Sequence, residues 1–346
     1  MQIIFLTIFS AGLLYCFKAT MIFAAQKTKQ MQTDINIAKL DRIALLVVQT
    51  YHKNVQRQDY HLRNWISQLP SFPQFLAAFV SDSPIVDEVK SNATYKTLLV
   101  PEQEYVIRDH LFNNSFPFRK VQTSFILTFN QSLRYFLSTP ADYFFRIDDD
   151  GSYYLPNVQK AIRELSRQKI DPRRDRIIRG TCCFWQGAHF FGGGNSFLMS
   201  RAAAEDLIKV YDEWGYNIDT PCDVYLMTLL KRFNDTVENM TIGGVTAGFT
   251  NDFYEIAAKG EWNRLETCPT SNFPGDRCPG AFHRVRDMFS FHHFWDFNQY
   301  HTSWEELLKN GTFPDTVFYH RCNWMCHACV ANKETQEKHP ELFPVH

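Results

Sequence analysis

Three short apolar runs, each closed by polar residues, set the pattern of the first half of the chain. Ile43 to Val48 ends in Gln49-Thr50, Gln74 to Val80 ends in Ser81-Asp82, and Tyr143 to Ile147 ends in Asp148-Asp149-Asp150. Apolar residues that are continuous rather than alternating predict strands buried on both faces, as in a mostly parallel sheet. Elsewhere the spacing becomes helical. A helix is expected through Arg57 to Ile66. Leu155, Val158, Ile162 and Leu165 share one helical face behind Pro156, a residue suited to a first turn. Ala204, Leu207, Ile208, Tyr211 and Trp214 form the stripe of a helix starting near Ser200, and a further helix is expected from Asp223 through Leu230. Strands alternating with helices, without internal repeats, predict an α/β fold with a mostly parallel central sheet flanked by helices. Ligands bind such sheets outside the carboxyl ends of the strands, so the recurrent polar closures mark a site.

The termini read differently. Residues 1–25 carry one charged side chain, Lys18, and Ile3 to Phe17 is uncharged, which predicts a membrane-targeting segment: a signal anchor, or a signal peptide cleaved near Ala24-Ala25. Residues 26–41 are polar and read as a short stem. The folded domain is expected over 42–300, with a cysteine-bearing extension, 301–346, packed on it. The 346 residues are 45% hydrophobic with a net charge of −1, which describes a globular chain and argues against an electrostatic nucleic-acid binder.

Asn92, Asn113, Asn130, Asn234, Asn239 and Asn310 each begin an Asn-x-Ser/Thr sequon. Eight cysteines beyond the targeting segment (Cys182, Cys183, Cys222, Cys268, Cys278, Cys322, Cys326, Cys329) form an even set consistent with disulfides of unassigned connectivity. Both features predict a Golgi or other secretory-pathway membrane with a lumenal domain, or secretion if the N-terminal segment is cleaved. Cys322, Cys326, His327 and Cys329 are the alternative, a zinc cluster.

The acidic triplet carries the strongest chemical signal. Three adjacent carboxylates at the end of a buried strand repel one another unless a cation or hydrogen bonds offset the repulsion, and a divalent metal is the obvious candidate. Asp148-Asp149-Asp150-Gly151 also suits an acidic turn. Gly192-Gly193-Gly194 precede an apolar run and a helix start, where glycine lets a backbone approach a ligand or simply turn. Asp223 stands at an expected helix start, where an N-cap is its plain reading, and His292-His293 lie in an aromatic run, where core histidines are theirs.

In order, these segments resemble the fringe-like β1,3-glycosyltransferases, glycosyltransferase family 31, which share a GT-A fold. The resemblance covers most of residues 42–295. It is carried by Val47-Val48-Gln49-Thr50 with Arg57 and Arg63-Asn64-Trp65, by the triplet, by Gly192 through Ser200-Arg201, by Asp223-Val224-Tyr225 and by Ser290-Phe291-His292. The chain departs from the family at Cys222, where a second acid is common, and at Met227, where glycine is.

The resemblance implies a GT-A nucleotide-diphospho-sugar transferase, inverting and metal-dependent. It would move a hexose or N-acetylhexosamine from a UDP-sugar donor to a glycan or glycoprotein acceptor hydroxyl in β1,3 linkage. By the same carry-over Asp150 and His292 hold Mn²⁺, Asp223 is the general base, and Arg57, Asp82, Asp148, Asp149, Gly193 and Gly194 line the donor pocket. Carboxylate plus imidazole suits manganese, since magnesium prefers oxygen ligands and zinc recruits more histidine or thiolate. The alternative the resemblance leaves is a non-catalytic fringe-like lumenal chaperone or glycan-binding protein.

Overall fold

The computed structural model describes residues 43–51, 53–82, 95–100, 117–180, 182–185, 188–191, 197–214, 256–268, 282–291, 308–309, 313–322 and 325–338. The N-terminal segment, the stem, Gly192 to Gly194, the helix expected from Asp223 and the residue His292 lie outside the described residues.

Strand β1 (Ala44–Gln49) leads into helix α1 (Val55–Arg63), a 3-10 turn (Ile66–Ser71) and strand β2 (Phe75–Ser81). Strand β3 (Tyr95–Leu99), helix α2 (Pro117–Ser138), strands β4 (Tyr143–Asp148) and β5 (Ser152–Tyr153) and helix α3 (Leu155–Arg167) follow. Then come β6 (Ile178–Gly180), the antiparallel pair β7 (Cys182–Trp185) and β8 (Ala188–Phe191), β9 (Phe197–Ser200) and α4 (Arg201–Trp214). The three apolar runs are therefore strands, and the Pro156 and Ser200 helices start where their signals stand. The helix expected to run to Ile66 ends at Arg63, and the chain continues as the 3-10 turn with Pro70 inside it. Pro70 has no N–H for an α-helical ladder, which accounts for the tighter turn.

The central sheet runs β3-β2-β1-β4-β9-β6. β1 pairs in parallel with β2 and with β4, β2 pairs in parallel with β3, and β9 is antiparallel to both β4 and β6. This is the α/β class with a mostly parallel central sheet. The chain builds outward from β1 through β2 and β3, then returns to lay β4 on the other side of β1. The boundary between β1 and β4 is thus the point where strand order reverses, the place where open α/β sheets bind ligands.

Strand alternation divides the core between the two faces. On one, Leu45, Val47, Phe144, Phe197 and Met199 pack against Phe129, Leu133 and Phe136 of α2 and Ala204 and Leu207 of α4. On the other, Leu46, Val48, Phe79, Phe145 and Ile147 pack against Trp65, Ile66 and Leu69 and against Leu155, Val158, Ile162 and Leu165 of α3. Each fully buried large apolar side chain contributes about 1.5–3 kcal/mol, so the two helical layers hold the sheet rigid from both sides. Arg201 fixes the entry to α4: its Nη1 donates to the carbonyls of Thr139 and Ala141, and its Nη2 to that of Leu137, satisfying the C-terminal end of α2. Asn130, in one of the sequons, lies half-buried within α2 rather than in a loop.

A second sheet, in the order β10-β14-β13-β11, joins β10 (Glu266–Thr267) and β11 (Phe282–Arg284) to β13 (Val317–Cys322) and β14 (Met325–Val330), with the two-residue β12 (Ser290–Phe291) paired elsewhere and helix α5 (Lys333–Lys338) following. The cysteine-bearing extension therefore shares a sheet with segments before residue 300. A disulfide joins Cys268 to Cys329 across 61 residues, inside a small buried cluster with Phe318 and Ala331. Closing a loop of that span restricts the unfolded chain by roughly 4 kcal/mol. It also removes Cys329 from the zinc alternative, because a disulfide sulfur is not a thiolate ligand.

Candidate functional site

Register places the polar strand ends side by side. Gln49 is opposite Asp148 on one side and Val80 on the other. Beyond the last pairs, Thr50 N donates to Val80 O at 2.9 Å and Val100 N to Ser81 O at 2.8 Å. Gln49-Thr50, Ser81-Asp82 and the triplet therefore form one polar edge at the carboxyl ends of β1, β2 and β4. Asp82 sits at the β2 end of that edge, where its Oδ1 accepts from Ser81 Oγ at 3.3 Å.

The triplet is split by the alternation that divides the core. Asp148, the last residue of β4, shares a face with Arg146 two residues before it. Arg146 is 1% exposed, ion-paired with Asp148 through Nη2, and donates from the same nitrogen to Gln49 Oε1 at 2.7 Å. Asp149 turns to the opposite face, toward α1. Its buried carboxylate accepts from Thr50 Oγ1 and Asn54 Nδ2, both 2.7 Å to Oδ2, and from Arg57 Nη1, 2.7 Å to Oδ1. Asp150 lies in the turn that follows, closed by Gly151 N donating to Asp148 O at 2.9 Å.

The offsetting cations expected for this repulsive run are thus, for two of the three acids, guanidinium groups of the protein itself. Arg57 and Asp149, both expected in the donor pocket, hold each other in an ion pair. Asp150 follows in the turn beyond these two ion pairs.

Helix α1 supplies the clamp from one face: Asn54, Arg57 and Gln58, His61 and Trp65 recur three or four residues apart. Asn54 is the N-cap residue of α1, yet it makes no side-chain cap; its amide goes to Asp149 instead. Gln58, also buried, donates to Tyr51 O at 2.9 Å and holds the loop between β1 and α1. His61 is fully buried. Trp65 Nε1 donates to its Nδ1 at 2.7 Å, and its Nε2 lies 3.1 Å from Asp149 O. An indole N–H only donates, so Nδ1 accepts and the proton of the neutral ring sits on Nε2, which donates to the Asp149 carbonyl. Burial supports that state: it pushes His61 from the usual imidazole value of 6.5 down to about 4, against the opposing pull of Asp149.

The late Ser-Phe-His segment returns to this edge through a short ladder. Ser290 pairs with Tyr153 and Phe291 with Ser152, so the residue preceding His292 is laid against the strand that begins two residues after Asp150. Asn157 Nδ2 donates to the carbonyls of Arg286 and Met288, both at 2.8 Å, and Tyr154 N donates to Phe289 O at 2.8 Å. Phe289 meets Phe145 edge to face, and Tyr153 meets Trp65 likewise while its hydroxyl donates to Val47 O at 3.0 Å. These contacts tie β12 to both α3 and the core beneath the triplet. Ser290 Oγ, fully buried, has no hydrogen-bond partner among the described residues.

Of the sequence-predicted residues, Arg57, Asp82, Asp148, Asp149 and Asp150 share one edge. Asp223, Gly193, Gly194 and His292 lie outside the described residues. Asn54 and His61 were not anticipated. Their signal was a polar stripe on a helix face that covers an apolar sheet.

No protein-family model and no curated protein matches the chain, so the fringe-like resemblance rests on its motifs. Among solved structures, the galactosyltransferase LgtC in complex with donor and acceptor sugar analogs aligns with a TM-score of 0.41 at 10% identity, covering 78% of this chain and 95% of that one. An active-site mutant of LgtC aligns with a TM-score of 0.40 at 12% identity, covering 77% and 94%. At these scores the likeness assigns no chemistry by itself.

Proposed function

We propose that this chain is a metal-dependent, inverting glycosyltransferase of GT-A type that moves a hexose or N-acetylhexosamine from a UDP-sugar to an acceptor hydroxyl in β1,3 linkage. The observation that carries it is the meeting, at the β1–β4 switch point, of the triplet turn with the ladder that leads into His292. A carboxylate there and an imidazole in the next position of the paired segment fit a borderline-hard divalent ion such as Mn²⁺. Asp150 and His292 would hold it, and when bound it would offset the charge on the leaving diphosphate.

The chain's own residues do the rest. Asp223 takes the proton from the acceptor hydroxyl as that oxygen forms its bond to the anomeric carbon and the bond to the UDP oxygen breaks, with the electron pair leaving on UDP. Asp148 and Asp82 border the donor at the strand ends, and the backbone at Gly193-Gly194 permits close approach. Lumenal, membrane-held placement is supported by the sequons, the N-terminal segment and the Cys268–Cys329 bridge.

The test is a panel of UDP-sugars assayed for Mn²⁺-dependent hydrolysis and transfer, and for Mn²⁺-dependent thermal stabilisation. One donor should stabilise the protein only with metal. Asp150→Asn and Asp223→Asn should each lose transfer by at least ~100-fold while remaining folded. Undiminished transfer in either folded variant would overturn the role given to that residue.

A further inference from the structure

We infer that His61 and Asp149 are positioning residues: they hold the Asp149–Asp150 peptide in one orientation so that the Asp150 carboxylate is presented to a divalent cation. This rests on the proposed metal site and adds the chain's own device for aiming it. Carboxylate ligands are themselves oriented by neighbouring hydrogen bonds, and loss of such partners weakens metal affinity about 10–100-fold.

The geometry separates the two halves of the device. Thr50, Asn54 and Arg57 fix the Asp149 side chain with three hydrogen bonds of 2.7 Å, while His61 Nε2 holds its carbonyl at 3.1 Å. That carbonyl belongs to the peptide unit whose nitrogen is Asp150's. A planar peptide held at its oxygen and at the preceding side chain has little freedom left, so the direction in which Asp150 leaves the backbone is set from helix α1. Trp65 locks the imidazole in the donating tautomer, and Trp65 is itself fully buried against Tyr153 of the strand that receives β12. The same helix face therefore braces the acid and the ladder that leads into His292.

Two substitutions divide a merely structural His61 from a positioning one. In His61→Gln the amide nitrogen takes the place of Nε2 and still donates to the Asp149 carbonyl. In His61→Asn the side chain stops at the place of Nδ1, so its oxygen still accepts from Trp65 but the Asp149 carbonyl loses its donor. Mn²⁺ binding to the full folded protein without donor, read from the electron paramagnetic resonance signal of free Mn²⁺, should be weakened ~10-fold or more in His61→Asn and less than ~3-fold in His61→Gln.

Equal affinities, or the reverse order, in variants with unchanged circular dichroism would overturn the proposal. If either variant fails to fold, Thr50→Val replaces it: loss of one clamp donor should raise the Mn²⁺ Kd about 3-fold, and an unchanged Kd would overturn the proposal equally. Asp150→Asn is the control. Mn²⁺ binding retained in Asp150→Asn defeats the metal-site reading itself, whereas binding lost there with equal Asn and Gln variants defeats only the positioning.

Discussion

The two faces of the sheet treat adjacent carboxylates in different ways. On the α2–α4 face, Asp148 is held by one fully buried guanidinium, Arg146, above an aromatic core of Phe129, Phe136 and Phe144. On the α1 face, the Asp149 carboxylate is held by Thr50, Asn54 and Arg57, with His61 on its carbonyl and Trp65 behind the histidine. The first arrangement centres on an ion pair. The second distributes the hold over several donors, and through the Asp149 carbonyl it also orients the next acid. The difference teaches that a repulsive acidic run does not by itself call for metal: among the described residues, Asp148 and Asp149 each meet a guanidinium of the protein.

The comparison breaks most visibly at Arg146. Arg146→Met should destabilise the protein by about 3 kcal/mol in urea titration, because Asp148, 33% exposed and so partly rehydrated, and Gln49 lose a charged hydrogen-bond donor. A loss below ~1 kcal/mol would mean that Asp148 is solvated well enough to need no guanidinium.

The α1 face should show its distinct character in pH dependence. His61 has its folded pKa lowered to about 4 from 6.5, so the unfolded chain binds its proton first as pH falls. The stability present above pH 6.5 is therefore lost between 6.5 and about 4, by about 1.4 kcal/mol per pH unit and ~3 kcal/mol in all. Denaturant titrations of the protein in EDTA should show this slope on top of other titrations, and His61→Gln should lack it. An identical profile in both proteins would place the imidazole in water.

The smallest expected effect is that of Thr50→Val, about 1 kcal/mol, since Asp149 keeps Asn54 and Arg57. A larger loss would show the clamp to be cooperative rather than additive.

Periodicity made the sheet strands and the α3 and α4 helices legible, because runs such as Tyr143 to Ile147 are buried on both faces and admit no polar residue except Arg146. Helix α2 was equally readable in principle: Ile126, Phe129, Leu133 and Phe136 recur at helical spacing within its 22 residues. Strand β3 was not, since its Tyr95, Lys96 and Thr97 lack a continuous apolar run at this sheet edge. The pairing of Cys268 with Cys329 was also beyond reach, because eight cysteines admit many connectivities and burial with Phe318 selects one of them.

The order of residues by itself determined the α/β class, the polar closures of the strands and the presence of three carboxylates at one strand end. Those are local properties of spacing and polarity, readable without knowing what lies opposite. Only the tertiary structure decided which arginines, 2 and 92 residues away, meet Asp148 and Asp149, and that Phe291 pairs beside the triplet turn. The physical reason is that burial and hydrogen bonding depend on which element packs against which face. Strand alternation fixes two directions at the end of β4, but the partner waiting in each direction is set by the packing of helices distant along the chain.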